Sequence, residues 1–174
     1  MLDIREPDTW PEGMAIVTTP GEPAAMAGLN KDDLLAQRVI DAIFPHDQVA
    51  RSLGIKMVRV AAGAIVLSMK VRDDMANFLG SCHGGVIFSL ADASFGLACN
   101  SRNEIAVAAS ADITFLRPVM LGDQLSCECN EHYREGRNAV YHARVTNQNG
   151  ETVALFRGNS RRRGDGAVID ISAD

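Results

Sequence analysis

One acid stands inside an otherwise apolar helical run. Residues 83–99 read HGGVIFSLADASFGLAC, and their single carboxylate, Asp92, has only Phe88, Ser89, Phe95 and Gly96 one turn away. No cation at helical spacing explains it. A carboxylate in such a setting is paired with a group from elsewhere in the chain, sits at the edge of the core, or is employed as a base or nucleophile. The run opens on His83-Gly84-Gly85. A first helical turn leaves backbone N–H groups without intrahelical acceptors at the positive end of the helix dipole, and glycines there let a polarised oxygen come close. Cys82 beside His83 offers a second chemistry, a Cys-His nucleophile, but no third orienting group accompanies it.

The frame for these residues is a chain of 174 residues with a net charge of −5, long enough for one domain and too short for two full ones. That charge and a pI near 5.3 argue against nucleic acid as a partner. The start, MLDIREPDTWPEG, lacks the basic and then apolar segments of a secretory signal, and no run reaches the length of a membrane span. The expectation is a cytoplasmic protein without a membrane partner. Four cysteines, Cys82, Cys99, Cys127 and Cys129, have neither zinc-site spacing nor the density of a disulfide scaffold, so they read as reduced thiols and no metal is expected.

The elements that must position the site follow from periodicity. Residues 1–28 hold four of the six prolines and no durable period, which predicts a loose extension. Asn30 is a plausible N-cap for a leading helical segment over 30–52, with Leu34, Leu35, Val39, Ala42 and Ile43 as its apolar stripe to near Pro45, and a second turn, HDQVARSLG, stopping at Gly54. Residues 55–60 and 64–72 alternate around a tight turn and read as a hairpin. A polar loop, DDMANFLGSC, precedes the central helix. Four β-rich segments follow, at about 104–117, 123–134, 138–147 and 151–162, and Asn149-Gly150 marks the last hairpin. A lone apolar helix with strands before and after it is most simply wrapped by one curved antiparallel sheet of about six strands, an α+β fold. The domain is expected over 29–165 with a tail over 166–174.

The pattern Asn77, His83, Gly84, Gly85, Leu90, Ala91, Asp92, supported by SCHGG at 81–85, FSLAD at 88–92, ITFLRP at 113–118 and VALFRGNS at 153–160, resembles the hotdog-fold acyl-CoA thioesterases, and within them the phenylacetate-pathway, PaaI-type branch. The likeness runs from about residue 51 to about residue 163. It implies a thioester hydrolase acting on phenylacetyl-CoA, a hydroxylated relative, or another aromatic or medium-chain acyl-CoA, with coenzyme A as part of the substrate and no separate cofactor. In this reading Gly84 donates to the thioester oxygen with Gly85 beside it. Asp92 acts as general base or as nucleophile, Asn77 orients water or the thioester, and His83 supports them. Ser110 is the candidate for a hydroxyl that touches the water, unless the register is off by two, where Ala108 leaves the role empty. Phe78, Leu79 and Phe88 are expected to line the acyl pocket, and Arg117, Arg157 and Arg161 to meet the phosphates.

Gly84 and Asp92 lie eight residues apart, about 12 Å along a helix. One carbonyl cannot touch both on one helix. If both act together, the carboxylate comes from a second copy of the helix running antiparallel beside the first, which makes the protein a dimer with sites between subunits. The resemblance adds a dimer of dimers, a homotetramer. Two other classes compete. A hotdog dehydratase or hydratase needs a His paired with an acid in a different motif, and a non-catalytic acyl-CoA sensor needs a DNA-reading helical domain where the first 50 residues have no basic recognition helix.

Overall fold

The computed structural model describes residues 30–164 and 166–171. The extension expected over 1–28 lies outside the described residues. Asn30 caps α1 (Lys31–Ile43), its side chain accepting from the Asp33 N–H at 2.9 Å. The helix is turned relative to the expected stripe: Asp33, Ala36, Val39 and Ile40 are buried, while Ala42 is exposed. The reason is polar. The Asp33 carboxylate accepts from the Ala62 N–H at 2.9 Å, at the turn of the first hairpin, and that bond rotates the helix. A 3₁₀ turn at Phe44–His46 leads to α2 (Gln48–Leu53), which Asp47 caps by accepting from the Ala50 N–H at 2.9 Å.

Strands β1 (Lys56–Ala61) and β2 (Ala64–Lys70) form the expected hairpin. After the central helix α3 (Gly84–Asn100) come β3 (Ala106–Phe115), β4 (Gln124–Glu135), β5 (Asn138–Thr146) and β6 (Thr152–Arg162). All pairings are antiparallel, in one six-stranded sheet of order β1-β2-β4-β5-β6-β3. The hairpin at Asn149-Gly150 is fastened by Asn147, whose side chain accepts from the N–H groups of Asn149 and Glu151, with Gly150 at a positive φ of 76°. Residues 166–171 fold back, Ile169 N–H donating to the Asn103 side chain at 2.8 Å.

Helix α3 lies in the curve of the sheet because the sheet makes room for it. Gly158 on β6 sits under Phe95, and a Cβ there would stand 2.8 Å from the Phe95 ring. Phe95 in turn meets Tyr141 at 5.5 Å and Phe156 at 5.7 Å between ring centroids. Ile87, Leu90, Ala91, Phe95, Leu97 and Ala98 of the helix join Leu67, Cys127, Cys129 and Val145 of the sheet in the core. Cys127 and Cys129 are core residues on one face of β4, and burial pushes both thiols up, Cys127 to about 12.

The burial of α3 is one-sided. Gly85 and Asp92 are exposed and Ser89 and Gly96 half-buried, a stripe of small residues and one acid at helical spacing. Of the readings open to Asp92, the single protomer shows the position at the edge of the core, on the open side of the helix. The strand β3 is open too. Eight of its ten residues are exposed, and among the described residues it pairs with β6 only and leaves its other edge free.

Candidate active site

The loop before α3 is held by Asn77. Its Oδ1 accepts from the Leu79 N–H at 2.8 Å and the Ser81 N–H at 3.3 Å, and its Nδ2 donates to Ser81 Oγ at 2.9 Å. This puts the apolar tip in solvent: Phe78 is 96% and Leu79 76% exposed. Around the same helix start, Phe115, Leu116, Met120 and Leu121 are exposed as well. So much apolar surface in one place marks a contact or binding surface.

His83 is the N-cap of α3, and its Nδ1 accepts from the Gly85 N–H at 2.9 Å. The cap divides the work of the two glycines. Gly85 has its N–H taken by His83, and the carbonyl of His83 takes the N–H of Val86, so among the described residues Gly84 is left as the donor without a protein acceptor. A side chain at Gly84 would be crowded, since a Cβ there would stand 3.0 Å from the Phe115 ring. Cys82 is 4% exposed, and burial with the charge of Asp123 pushes its thiol up to about 11, which leaves no thiolate for a Cys-His nucleophile.

Asp92 faces the open side of α3 from two turns further on. Partial burial, and after it the carboxylate of Asp47 on the packed helix α2, hold its carboxyl above the ordinary carboxylate range. Asp47 is the residue of this site that sequence reasoning missed. It reads as a helix cap and nothing more, because its charge acts across the gap from the start of α2 to α3.

The remaining candidates are scattered in the protomer. Phe88 is half-buried against Phe156, centroids 5.6 Å apart, beneath the helix start. A bulge in β3 between Ala108 and Ser110 leaves Ala108 opposite Ser160 and Ser110 opposite Asn159, whose Nδ2 donates to the Ser110 hydroxyl at 2.7 Å. Ala108 and Ala111 thus lie opposite Ser160 and Gly158 of β6, and all three of Ala108, Ser110 and Ala111 are exposed in the protomer. Arg117 donates to the Thr152 carbonyl at 2.7 Å. Arg157 and Arg161 are exposed on β6, with Arg157 opposite Asp112 and His142. No group of three His, Cys, Asp or Glu able to hold a metal is found among the described residues, and none of their helices is long and apolar enough to cross a membrane.

A hydrogen-bond donor at a helix start, a carboxylate with a raised pKa and an apolar rim are the parts needed to polarise a carbonyl and deliver water or a nucleophile to it. Known proteins carry the same arrangement of sequence and fold. Residues 79–154 match the model of the Thioesterase superfamily. The chain is 42% identical over 123 residues to the acyl-coenzyme A thioesterase PaaI of Escherichia coli, covering 71% of this chain and 88% of that protein. The structure of the E. coli PaaI protein from the phenylacetic acid degradation operon superposes with a TM-score of 0.75 at 40% identity, over 77% of this chain and 97% of that one. A protein of Streptococcus mutans solved with acetyl CoA bound superposes with a TM-score of 0.62 at 29% identity, over 64% of this chain and 90% of that one.

Proposed function

The chain belongs to the PaaI-type acyl-CoA thioesterases of the thioesterase superfamily, and with phenylacetate degradation as its setting we propose that it hydrolyses phenylacetyl-CoA or a ring-hydroxylated relative at sites built between two subunits. The observation that carries this reading is the open face of the protomer. Gly84 and Asp92 point the same chemistry at different heights of one helix, about 12 Å apart. Pairing the free edge of β3 with its copy sets two α3 helices antiparallel, stripe against stripe, and brings Asp92 of the partner subunit to the level of Gly84. The pairing covers an edge that would otherwise template aggregation and closes the rim of Phe78, Leu79 and Phe115 over an acyl group. Aromatic and aliphatic side chains with no charge suit an aromatic acid.

In the reaction, the Gly84 N–H stabilises the oxyanion that forms on the thioester carbonyl. Asp92 takes the proton of an attacking water, or attacks and forms an anhydride that water opens. Either way the C–S bond breaks and coenzyme A leaves as the thiolate. Asn77 and the Nδ1 of His83 hold the loop and the helix start in position, and water is the only co-reactant. Four free buried cysteines favour the reducing cytoplasm as its compartment, and the dimer pairs again into a tetramer.

Thiol release from a panel of acyl-CoA esters tests the reading. Phenylacetyl-CoA and hydroxyphenylacetyl-CoA are expected to give the highest kcat/KM, ahead of short and long aliphatic esters. Binding of acyl-CoA without thiol release would make the protein a sensor.

Asp47 supplies a pH test. Its negative charge raises the pKa of Asp92, so removing that charge lets Asp92 ionise at lower pH. The variant Asp47→Asn, which keeps a good helix cap, is expected to move the acid limb of the kcat/KM profile to lower pH while the plateau stays. An unmoved limb would mean that Asp47 does not act on the reacting carboxylate.

A further inference from the structure

Attack by water on a thioester makes a demand that Asp92 alone does not meet. A water has two hydrogens: one goes to the base, and the other needs a second acceptor if the lone pair that forms the new bond is to face the carbonyl carbon. The hydroxyl expected from β3 is occupied or missing, since Ser110 accepts from Asn159 Nδ2 at 2.7 Å and Ala108 has none. Ser89 offers the acceptor. It lies one turn before Asp92 on the open side of α3, half-buried, and its Oγ donates to the Gly85 carbonyl at 2.8 Å. With the hydroxyl proton spent on the helix, the lone pairs of the oxygen are what remains to offer. Ser94 makes the same bond to the Leu90 carbonyl at 2.9 Å, but it is buried in the core with Cys127 beside it. Serine is a poorer helix former than alanine, so helix stability does not account for Ser89.

We infer that Ser89 is a catalytic residue that holds the attacking water, accepting its second hydrogen while Asp92 accepts the first. The inference rests on the hydrolytic reading above and takes Asp92 as the base. A water donating to two acceptors spans about 4.5 Å between them, and side chains three apart on one helix face have Cβ atoms about 5–6 Å apart, so one water bridges the pair. Both acceptors come from one chain, and the carbonyl is held at Gly84 of the partner subunit. The water oxygen bonds to the carbonyl carbon, its first proton passes to Asp92, and the π pair moves onto the oxygen at the Gly84 N–H. When that oxyanion collapses, the C–S bond breaks with its pair on sulfur, and the thiolate takes up the proton from Asp92. The second hydrogen stays on the new oxygen and becomes the proton of the carboxylic acid. The Ser89 proton does not move.

The experiment compares wild type and Ser89→Ala on the best acyl-CoA ester, in water and in dilute methanol. Ser89→Ala is expected to lower kcat roughly five- to tenfold with KM within twofold, and to unfold at the wild-type temperature or above, because alanine favours the helix. Methanol separates a lost acceptor from a general disturbance. It carries one hydrogen for Asp92 and a methyl group in place of the second, so it needs no hydroxyl beside it, and methyl-ester formation should hold while hydrolysis falls. The ratio of methyl ester to free acid is therefore expected to rise about five- to tenfold in Ser89→Ala. A kcat equal to wild type overturns the inference. So does a lowered kcat at a product ratio that does not rise, which would make Ser89 a packing residue. If wild type releases no thiol from any ester, the functional reading fails and this inference with it, whereas an active wild type beside an equally active Ser89→Ala overturns the inference alone.

Discussion

Asp92→Asn is expected to lower kcat by at least about 10²-fold on the best acyl-CoA ester while the protein stays folded and keeps its KM within a few-fold. Asparagine matches the shape of the acid and can neither accept a proton nor attack. Because Asp92 faces the open side of α3, the change opens no core cavity, so circular dichroism and thermal unfolding should match wild type. A rate equal to wild type would make the acid structural and displace the site.

The second large effect comes from mixing two inactive proteins. Gly84→Val puts a branched side chain where a Cβ would already stand 3.0 Å from Phe115, and blocking the backbone donor is expected to cost about 10²-fold. Each variant alone carries the same defect in both of its sites. In a hybrid dimer, one site collects both defects and the other draws an intact Gly84 from one chain and an intact Asp92 from the other. After dissociation and reassociation, an equal mixture should recover about a quarter of wild-type activity, since half the dimers are hybrids with one good site of two. A mixture that recovers nothing, when both variants are folded and exchange subunits, would place donor and acid within one chain. Gly84→Ala is the milder substitute if valine prevents folding.

Much of this arrangement was legible because its signals are local. His83-Gly84-Gly85 announces a helix start, and the structure opens α3 at Gly84 with His83 as its cap. Asn149-Gly150 marks a turn whose residues can do little else. What escaped was whatever depends on contacts between distant segments. The stripe of α1 came out turned because Asp33 reaches Ala62, 29 residues away. Which reading of Asp92 would hold was not legible, because an apolar pattern does not tell a helix face packed on the chain's own sheet from one left open. Arg102, Arg134, Arg137 and Arg162 meet at the far end of α3 from four places in the chain, which no spacing rule joins. The sharing of donors between Gly84 and Gly85 turns on which imidazole nitrogen points down the helix, a matter of rotamer and not of residue type.

The strand that stands open to a second copy also sets a clock on its own synthesis. β3 leaves the ribosome third among the six strands, yet its only neighbour within the sheet is β6, the last. Until residues 152–162 have been made, β3 has α3 to lie against but, among the described residues, no strand to pair with. In the dimer proposed above, the interface would therefore be completed only with the last strand, because β6 is what fixes β3 in the sheet.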